Sequence, residues 1–240
     1  MQATRTTLGG LRCVASQATA GPPSLLVVLC HGFGAPGEDL VPLAPELCRQ
    51  RPELESARFL FPAAPLSLGW TGTGEGLAWW MIDVERLMAG GTSELRAEVP
   101  KGLPKARRML RELVDVATRQ AGLPLSRTVL GGFSQGAMLA TDVALRLEEA
   151  PAGLCVLSGT PIAEAEWRRL APARRGLGVL QTHGRQDPLL PFSLAEALRD
   201  LLAGAGMEVD FRAFDDGHTI PPEALGALGD FLARRLPEAP

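Results

Sequence analysis

The sequence predicts an α/β protein, a mostly parallel, doubly wound sheet flanked by helices. Three observations carry this expectation. Short, nearly continuous apolar runs recur along the 240 residues. Helical patterns alternate with them, and Gly-rich turns follow several of them. Continuous apolar runs suit parallel strands covered on both faces. Alternation of strand and helix suits crossover connections between parallel neighbours.

In chain order, "LGGLRCVAS" (8–16) is compatible with an edge strand. "SLLVVLC" (24–30) reads as a buried strand, "DLVPLAPELCRQ" (39–50) as a helix and "ARFLFP" (57–62) as a second buried strand. "LPKARRMLRELVDVATRQAG" (103–122) is helical, with apolar spacing at Met109, Leu110, Leu113, Val116 and Ala117. "RTVLGG" (127–132) is a strand and "QGAMLATDVALRLEEA" (135–150) a helix. "GLCVLSG" (153–159) and "LGVLQTHG" (177–184) are strands. The helix "FSLAEALRDLLAGAG" (192–206) precedes "EVDFRAF" (208–214), which alternates and is placed nearer an edge; "PPEALGALGDFLARRL" (221–236) closes the chain as a helix. One domain over 1–240 is expected.

The stretch from Ala63 to Gly102 breaks this alternation. It is Gly-rich and holds three of the four tryptophans, Trp70, Trp79 and Trp80. A long irregular insertion in a compact domain is commonly a lid or a binding loop. It leaves a strand at its carboxyl end, where α/β sheets place ligands. The three tryptophans are therefore candidate substrate contacts, with simple core filling as the alternative.

Bulk properties exclude several classes of function. The chain is 46% apolar and 21% charged, with net charge −3, which gives no electrostatic reason to expect nucleic acid or an anionic membrane as partner. Cys13, Cys30, Cys48 and Cys155 form no C-x-x-C pair, and Cys30 and Cys155 sit inside apolar runs. A disulfide framework is not expected, and a reducing, cytoplasmic compartment is. "MQATRTTLGG" lacks the apolar region of a signal peptide. The longest clean apolar run, "LLVVLC", is far too short to span a bilayer.

The chemistry concentrates in four loops, each after a predicted strand. "GGFSQG" (131–136) places Ser134 between a strand and a helix, the context that G-x-S-x-G requires. Such a turn lifts a serine Oγ above the sheet and aims the N–H of Gln135 at an oxyanion. Histidine occurs three times, at His31, His183 and His218. His218, in "DDGHTI" between the last strand and last helix, is the candidate base; His31 and His183 read as structural or loop-shaping. Asp187, in "THGRQDPLLP", is the candidate acid. Asp215 and Asp216 are rivals by proximity, but adjacency to His218 disfavours good geometry. Asp142, on the helix after Ser134, reads as solvated. "HGFG" (31–34) offers a second backbone donor, the N–H of Phe33.

Competing chemistries lack their signatures. Three separated histidines without H-E-x-x-H give no zinc site, so no metal is expected. "GWTGTGEG" (69–76) has neither the spacing nor the preceding strand of a dinucleotide loop, so no cofactor is expected.

The sequence resembles the carboxylesterase/phospholipase family that includes the acyl-protein thioesterases, all α/β-hydrolases. The matching pieces are "LCHGFGAPGEDL", "FLFPAAP", "WW" after a Gly-rich stretch, "LGGFSQGAMLA", "CVLSGTP", "THGRQDPLLP" and "GHTIPPEAL". The resemblance implies an α/β-hydrolase fold and a triad of Ser134, Asp187 and His218. It also implies an oxyanion hole from the N–H groups of Phe33 and Gln135, ester or thioester substrates and no metal. The sequence departs from the family in the lid, where "AWWMID" sets Met81 and Ile82 before Asp83.

The expected activity is serine-dependent cleavage of carboxylic esters with short to medium acyl chains, through an acyl-enzyme. Acyl thioester or lysophospholipid hydrolysis is the alternative within the class. A hydrolase-fold protein that binds a ligand or partner without turnover is the alternative outside it. The expected partner is a small ester or lipid-like molecule. A scaffold or homodimer using the Trp-rich segment as an exposed patch also stays open.

Overall fold

The apolar runs become the centre of one large sheet. The computed structural model of the chain describes residues 1–71, 74–83, 85 and 96–237. Its strands are β1 (Gln2–Leu8), β2 (Leu11–Gln17), β3 (Leu25–Cys30), β4 (Ala57–Pro62), β5 (Leu66–Thr71), β6 (Gly74–Ala78), β7 (Thr128–Phe133), β8 (Gly153–Leu157), β9 (Gly178–Gly184) and β10 (Glu208–Phe214). The helices are α1 (Leu43–Gln50), α2 (Leu103–Ala121), α3 (Gln135–Ala144), α4 (Glu164–Leu170), α5 (Phe192–Gly204) and α6 (Pro222–Ala233).

Eight strands lie in the order β1-β2-β4-β3-β7-β8-β9-β10, and β5 and β6 form a separate hairpin. From β4 to β10 all neighbours are parallel; β1, β2 and β4 pair antiparallel. This is the α/β-hydrolase fold. The chain adds β1, a strand the sequence reading left out, because "QATRTTL" is polar and all of it but Leu8 is exposed. The edge position expected for 208–214 holds for β10.

Period-two packing sets the two faces of β3. Leu26, Val28 and Cys30 face a core shared with Leu110 and Leu113 of α2, Leu139 of α3, Trp167 of α4 and Leu198 of α5. Leu25, Val27 and Leu29 face a second core with Leu47 of α1 and Leu228 and Phe231 of α6. Helices thus cover both faces. Because the central strands are parallel, the carboxyl ends of β3, β7, β9 and β10 open on one rim.

Asp142 departs from the expected solvated position. It is 0% exposed on α3 and accepts hydrogen bonds from Arg107 of α2, from Arg146 at 3.3 Å and from the Trp167 indole N–H at 2.9 Å. The carboxylate ties three helices together behind the strand–turn–helix at Ser134. Removing one member of a buried charge cluster leaves the others uncompensated. Asp142→Asn is expected to cost about 3–5 kcal/mol of unfolding free energy, read as a lower urea midpoint at unchanged slope. A loss below about 0.5 kcal/mol, the range of ordinary surface changes, would contradict this account.

Candidate active site

The turn between β7 and α3 is held by close approach. A Cβ on Gly132 would lie 2.4 Å from the Cys30 carbonyl oxygen, and one on Gly136 would lie 2.1 Å from it and 2.5 Å from that of His31. Only glycine lets α3 start this close to the end of β3. Ser134 between them has φ 53° and ψ −119°, a conformation costly for a residue with a side chain. Its N–H donates to the Leu157 carbonyl at 2.8 Å, so β8 holds the turn from the other side. Ser158, one residue further, also has φ 51°.

Gln135 is the first residue of α3, so its backbone N–H has no intrahelical acceptor, and the helix dipole adds positive potential there. In the 31–34 loop, the Gly34 N–H is committed to the Leu77 carbonyl at 2.8 Å. Among the described residues the Phe33 N–H meets no acceptor. A Cβ on Gly32 would stand 3.3 Å from Ser134 Cβ, so this loop lies directly against the turn.

Asp187 and His218 meet on the same rim. The His218 Nδ1–H donates to Asp187 Oδ2 at 2.6 Å, which leaves Nε2 free to take a proton. The other carboxylate oxygen, Oδ1, accepts from the N–H groups of Leu189 at 2.9 Å and Leu190 at 2.8 Å. Burial works against the Asp187 charge, but the bonds from His218, Leu190 and Leu189 outweigh it and hold the carboxyl below its usual value. The His218 ring lies 4.7 Å, centroid to centroid, from the ring of Phe133, the residue before Ser134.

The Asp187 and His218 loops are laced together. The Arg185 N–H donates to the Phe214 carbonyl at 2.8 Å and the Gln186 N–H to that of Asp216 at 3.1 Å. A Cβ on Gly184 would sit 2.2 Å from the Gly217 carbonyl oxygen. The rival acids are occupied elsewhere. Asp215 pairs with Arg185 at 3.2 Å, and Asp216 Oδ1 accepts from the Gly217 N–H at 2.6 Å.

His31 and His183 are buried and shape loops. His31 Nδ1–H donates to the Gly32 carbonyl at 2.7 Å, and Nε2 accepts from the Ala64 N–H at 2.9 Å. His183 Nε2–H donates to the Leu190 carbonyl at 2.9 Å and lies 3.4 Å from Asp187 Oδ2. Burial lowers the pKa of both rings.

Trp79 and Trp80 are 1% and 2% exposed and belong to the core. They form no exposed patch, because both indoles pack inward. Their influence on the site runs through hydrogen bonds. The Trp79 N–H donates to Gln135 Oε1 at 2.9 Å, and Gln135 Nε2 donates to the Trp80 carbonyl at 2.8 Å. The sequence reading missed this role of the Gln135 side chain; a polar residue heading an otherwise apolar helix was the available signal. Trp70 stands on β5, but its side chain lies outside the described residues, as do residues 72–73, 84 and 86–95 of the insertion. Among the described residues no His/Cys/Asp/Glu group could hold a metal ion, and no helix is long and apolar enough to cross a membrane.

Fold and site geometry define an α/β-hydrolase. The comparisons name its family: the phospholipase/carboxylesterase profile matches residues 11–236, and the chain belongs to that family. An acyl-protein thioesterase 1 of Eremothecium gossypii is 31% identical over 223 residues, covering 91% of each chain. A probable carboxylesterase of Oryza sativa subsp. japonica is 31% identical over 213 residues, covering 88% of each. The crystal structure of esterase PE8 superposes with a TM-score of 0.76 at 30% identity, over 92% of this chain and 97% of that one. The protein is a serine hydrolase that acts on carboxylic esters.

The buried histidines generate a pH dependence of stability. Unfolded, each ring takes up a proton below about pH 6.5; folded, burial holds it neutral to lower pH. The unfolded state therefore binds more protons as pH falls through that value, and the stability present above it is lost. The urea midpoint is expected to be lower at about pH 5.5 than at about pH 7.5, and the difference to shrink in His183→Gln. Equal midpoints at the two pH values would refute this assignment of buried neutral rings.

Proposed function

We propose that Ser134 is the nucleophile, His218 the base and Asp187 the acid that orients it. The observation that carries this is the 2.6 Å Asp187–His218 bond on the same rim as a serine held at φ 53°. Ser134 Oγ attacks the ester carbonyl carbon while His218 Nε2 takes its proton. The tetrahedral oxyanion is bound by the N–H groups of Phe33 and Gln135. The imidazolium then protonates the departing alkoxide, leaving an acyl-serine and an alcohol. Water, deprotonated by the same nitrogen, attacks the acyl-serine, and collapse of the second intermediate returns the proton to Ser134 and releases the acid.

Esters with short to medium acyl chains are the proposed substrates. Trp79 and Trp80 pack in the core, which leaves them out of an open acyl channel and supports this reading. Trp70 is kept as a proposed substrate contact. Acyl thioesters are the second reading, favoured by the relatives named acyl-protein thioesterase 1. The family match over 11–236 supports a single catalytic domain. Four free, buried cysteines support a cytoplasmic location.

Four measurements test this reading. A fluorophosphonate probe is expected to label Ser134 in folded protein. Ser134→Ala is expected to lower kcat/KM on nitrophenyl esters by about 10⁴-fold or more. Asp187→Asn is expected to cost about 10⁴-fold with the fold intact. A panel of nitrophenyl esters and acyl thioesters of increasing chain length separates the two substrate readings. An unlabelled Ser134, or wild-type turnover by Ser134→Ala, would sink the proposal.

A further inference from the structure

We infer that residues 77–80 form a strap that sets both halves of the oxyanion hole, and that the Gln135 side chain is the positioning group that closes it. The inference rests on the proposed roles of the Phe33 and Gln135 N–H groups.

Residues 77–80 bond to both candidate donor segments. Toward the Phe33 loop, Leu77 makes a reciprocal backbone pair: its carbonyl accepts from the Gly34 N–H at 2.8 Å, and its N–H donates to the Ala35 carbonyl at 2.9 Å. Two residues on, the Trp79 indole N–H donates to the His31 carbonyl at 2.9 Å. These bonds flank Phe33 on either side. They fix the peptide planes around its N–H without using that N–H.

Toward α3, the Gln135 carboxamide behaves as a piece of strand backbone. Its oxygen accepts from the Trp79 N–H at 2.9 Å and its nitrogen donates to the Trp80 carbonyl at 2.8 Å. The residue whose backbone is proposed to bind the oxyanion is thereby tied, through its own side chain, to the strap that orients the other donor. Gln135 and Trp79 are both buried, so neither amide has water as a substitute partner. Two donors must point at one atom, and a preorganised hole is effective only when both hold their direction before charge develops. Gln135 and Trp79 are positioning residues: neither side chain touches the reacting atoms.

The test separates positioning from packing. Gln135→Met keeps the approximate side-chain length and the backbone N–H but removes both bonds to the strap. Its kcat is expected to fall about 10- to 100-fold, less than or near the loss of one whole donor, with KM changed less than about twofold. Affinity for an alkyl trifluoromethyl ketone, which forms a tetrahedral adduct with the serine, is expected to fall in parallel with kcat. Trp79→Phe, which removes the indole donor to His31 together with part of a buried ring, is expected to lower kcat by a smaller factor, with ketone affinity falling in parallel. The double variant is expected to lose less than the product of the two.

Final fluorophosphonate labelling of Ser134 stays stoichiometric in all of them, only slower. A wild-type protein that is not labelled fails the triad reading itself. A labelled wild type whose Gln135→Met variant keeps kcat and ketone affinity within about twofold overturns the strap while leaving the triad standing. A kcat loss without the matching ketone loss overturns it as well. If Gln135→Met does not fold, Trp79→Phe decides by the same two readings.

Discussion

The close approach of α3 to the end of β3 governs the site. Gly132 and Gly136 have no room for a Cβ because the carbonyl oxygens of Cys30 and His31 occupy that space. Two consequences follow from this one contact. The chain must reverse within a single residue, which forces Ser134 to positive φ and raises its side chain off the sheet. The start of α3, with its unpaired N–H groups, is brought beside the loop that leaves β3. The proposed nucleophile and the two candidate oxyanion donors are thus placed by one steric constraint.

The proposed acid and base follow a parallel logic at the β9 and β10 ends. Gly184 permits the 216–217 backbone to come within contact distance, and two backbone bonds lace the loops. Asp187 is then enclosed by N–H donors on Oδ1 and by His218 on Oδ2. A buried carboxylate is stable only when its lone pairs are filled. Three short hydrogen bonds meet that requirement and fix the His218 tautomer at the same time. His183 supports the loop from below, through the Leu190 carbonyl.

Much of this was legible in the sequence, for physical reasons that also explain what was not. Strands covered on both faces, such as β3 and β7, show as apolar runs because every side chain meets a helix or a neighbouring core. β1 has one neighbour and open solvent, so "QATRTTL" carries no such run. The β5–β6 hairpin is Gly-rich and irregular in register, so alternation was absent there. The proposed triad of Ser134, Asp187 and His218 stands out in the sequence because each residue follows a recognisable strand. The burial of Asp142 was not, since its partners Arg107 and Trp167 lie 35 and 25 residues away. The Gln135 side chain was missed for a related reason: it bonds backbone atoms of Trp79 and Trp80, which carry no side-chain signature in a sequence.

The choice of glutamine at 135 connects that network to the chemistry. A glutamate there would have nearly the same shape and could still accept from the Trp79 N–H. Its second oxygen would face the Trp80 carbonyl, acceptor against acceptor, and its charge would lie in a buried position on the residue whose N–H is the proposed oxyanion donor. In a site of low dielectric such a charge opposes the transition state more strongly than it would in water. A neutral amide supplies the same reach with a donor where a donor is needed. The buried carboxylates, Asp187 on the loop after β9 and Asp142 further along α3, are each surrounded by hydrogen-bond donors. The proposed oxyanion side is instead built from neutral dipoles, the arrangement that lets developing negative charge be the charge those dipoles stabilise.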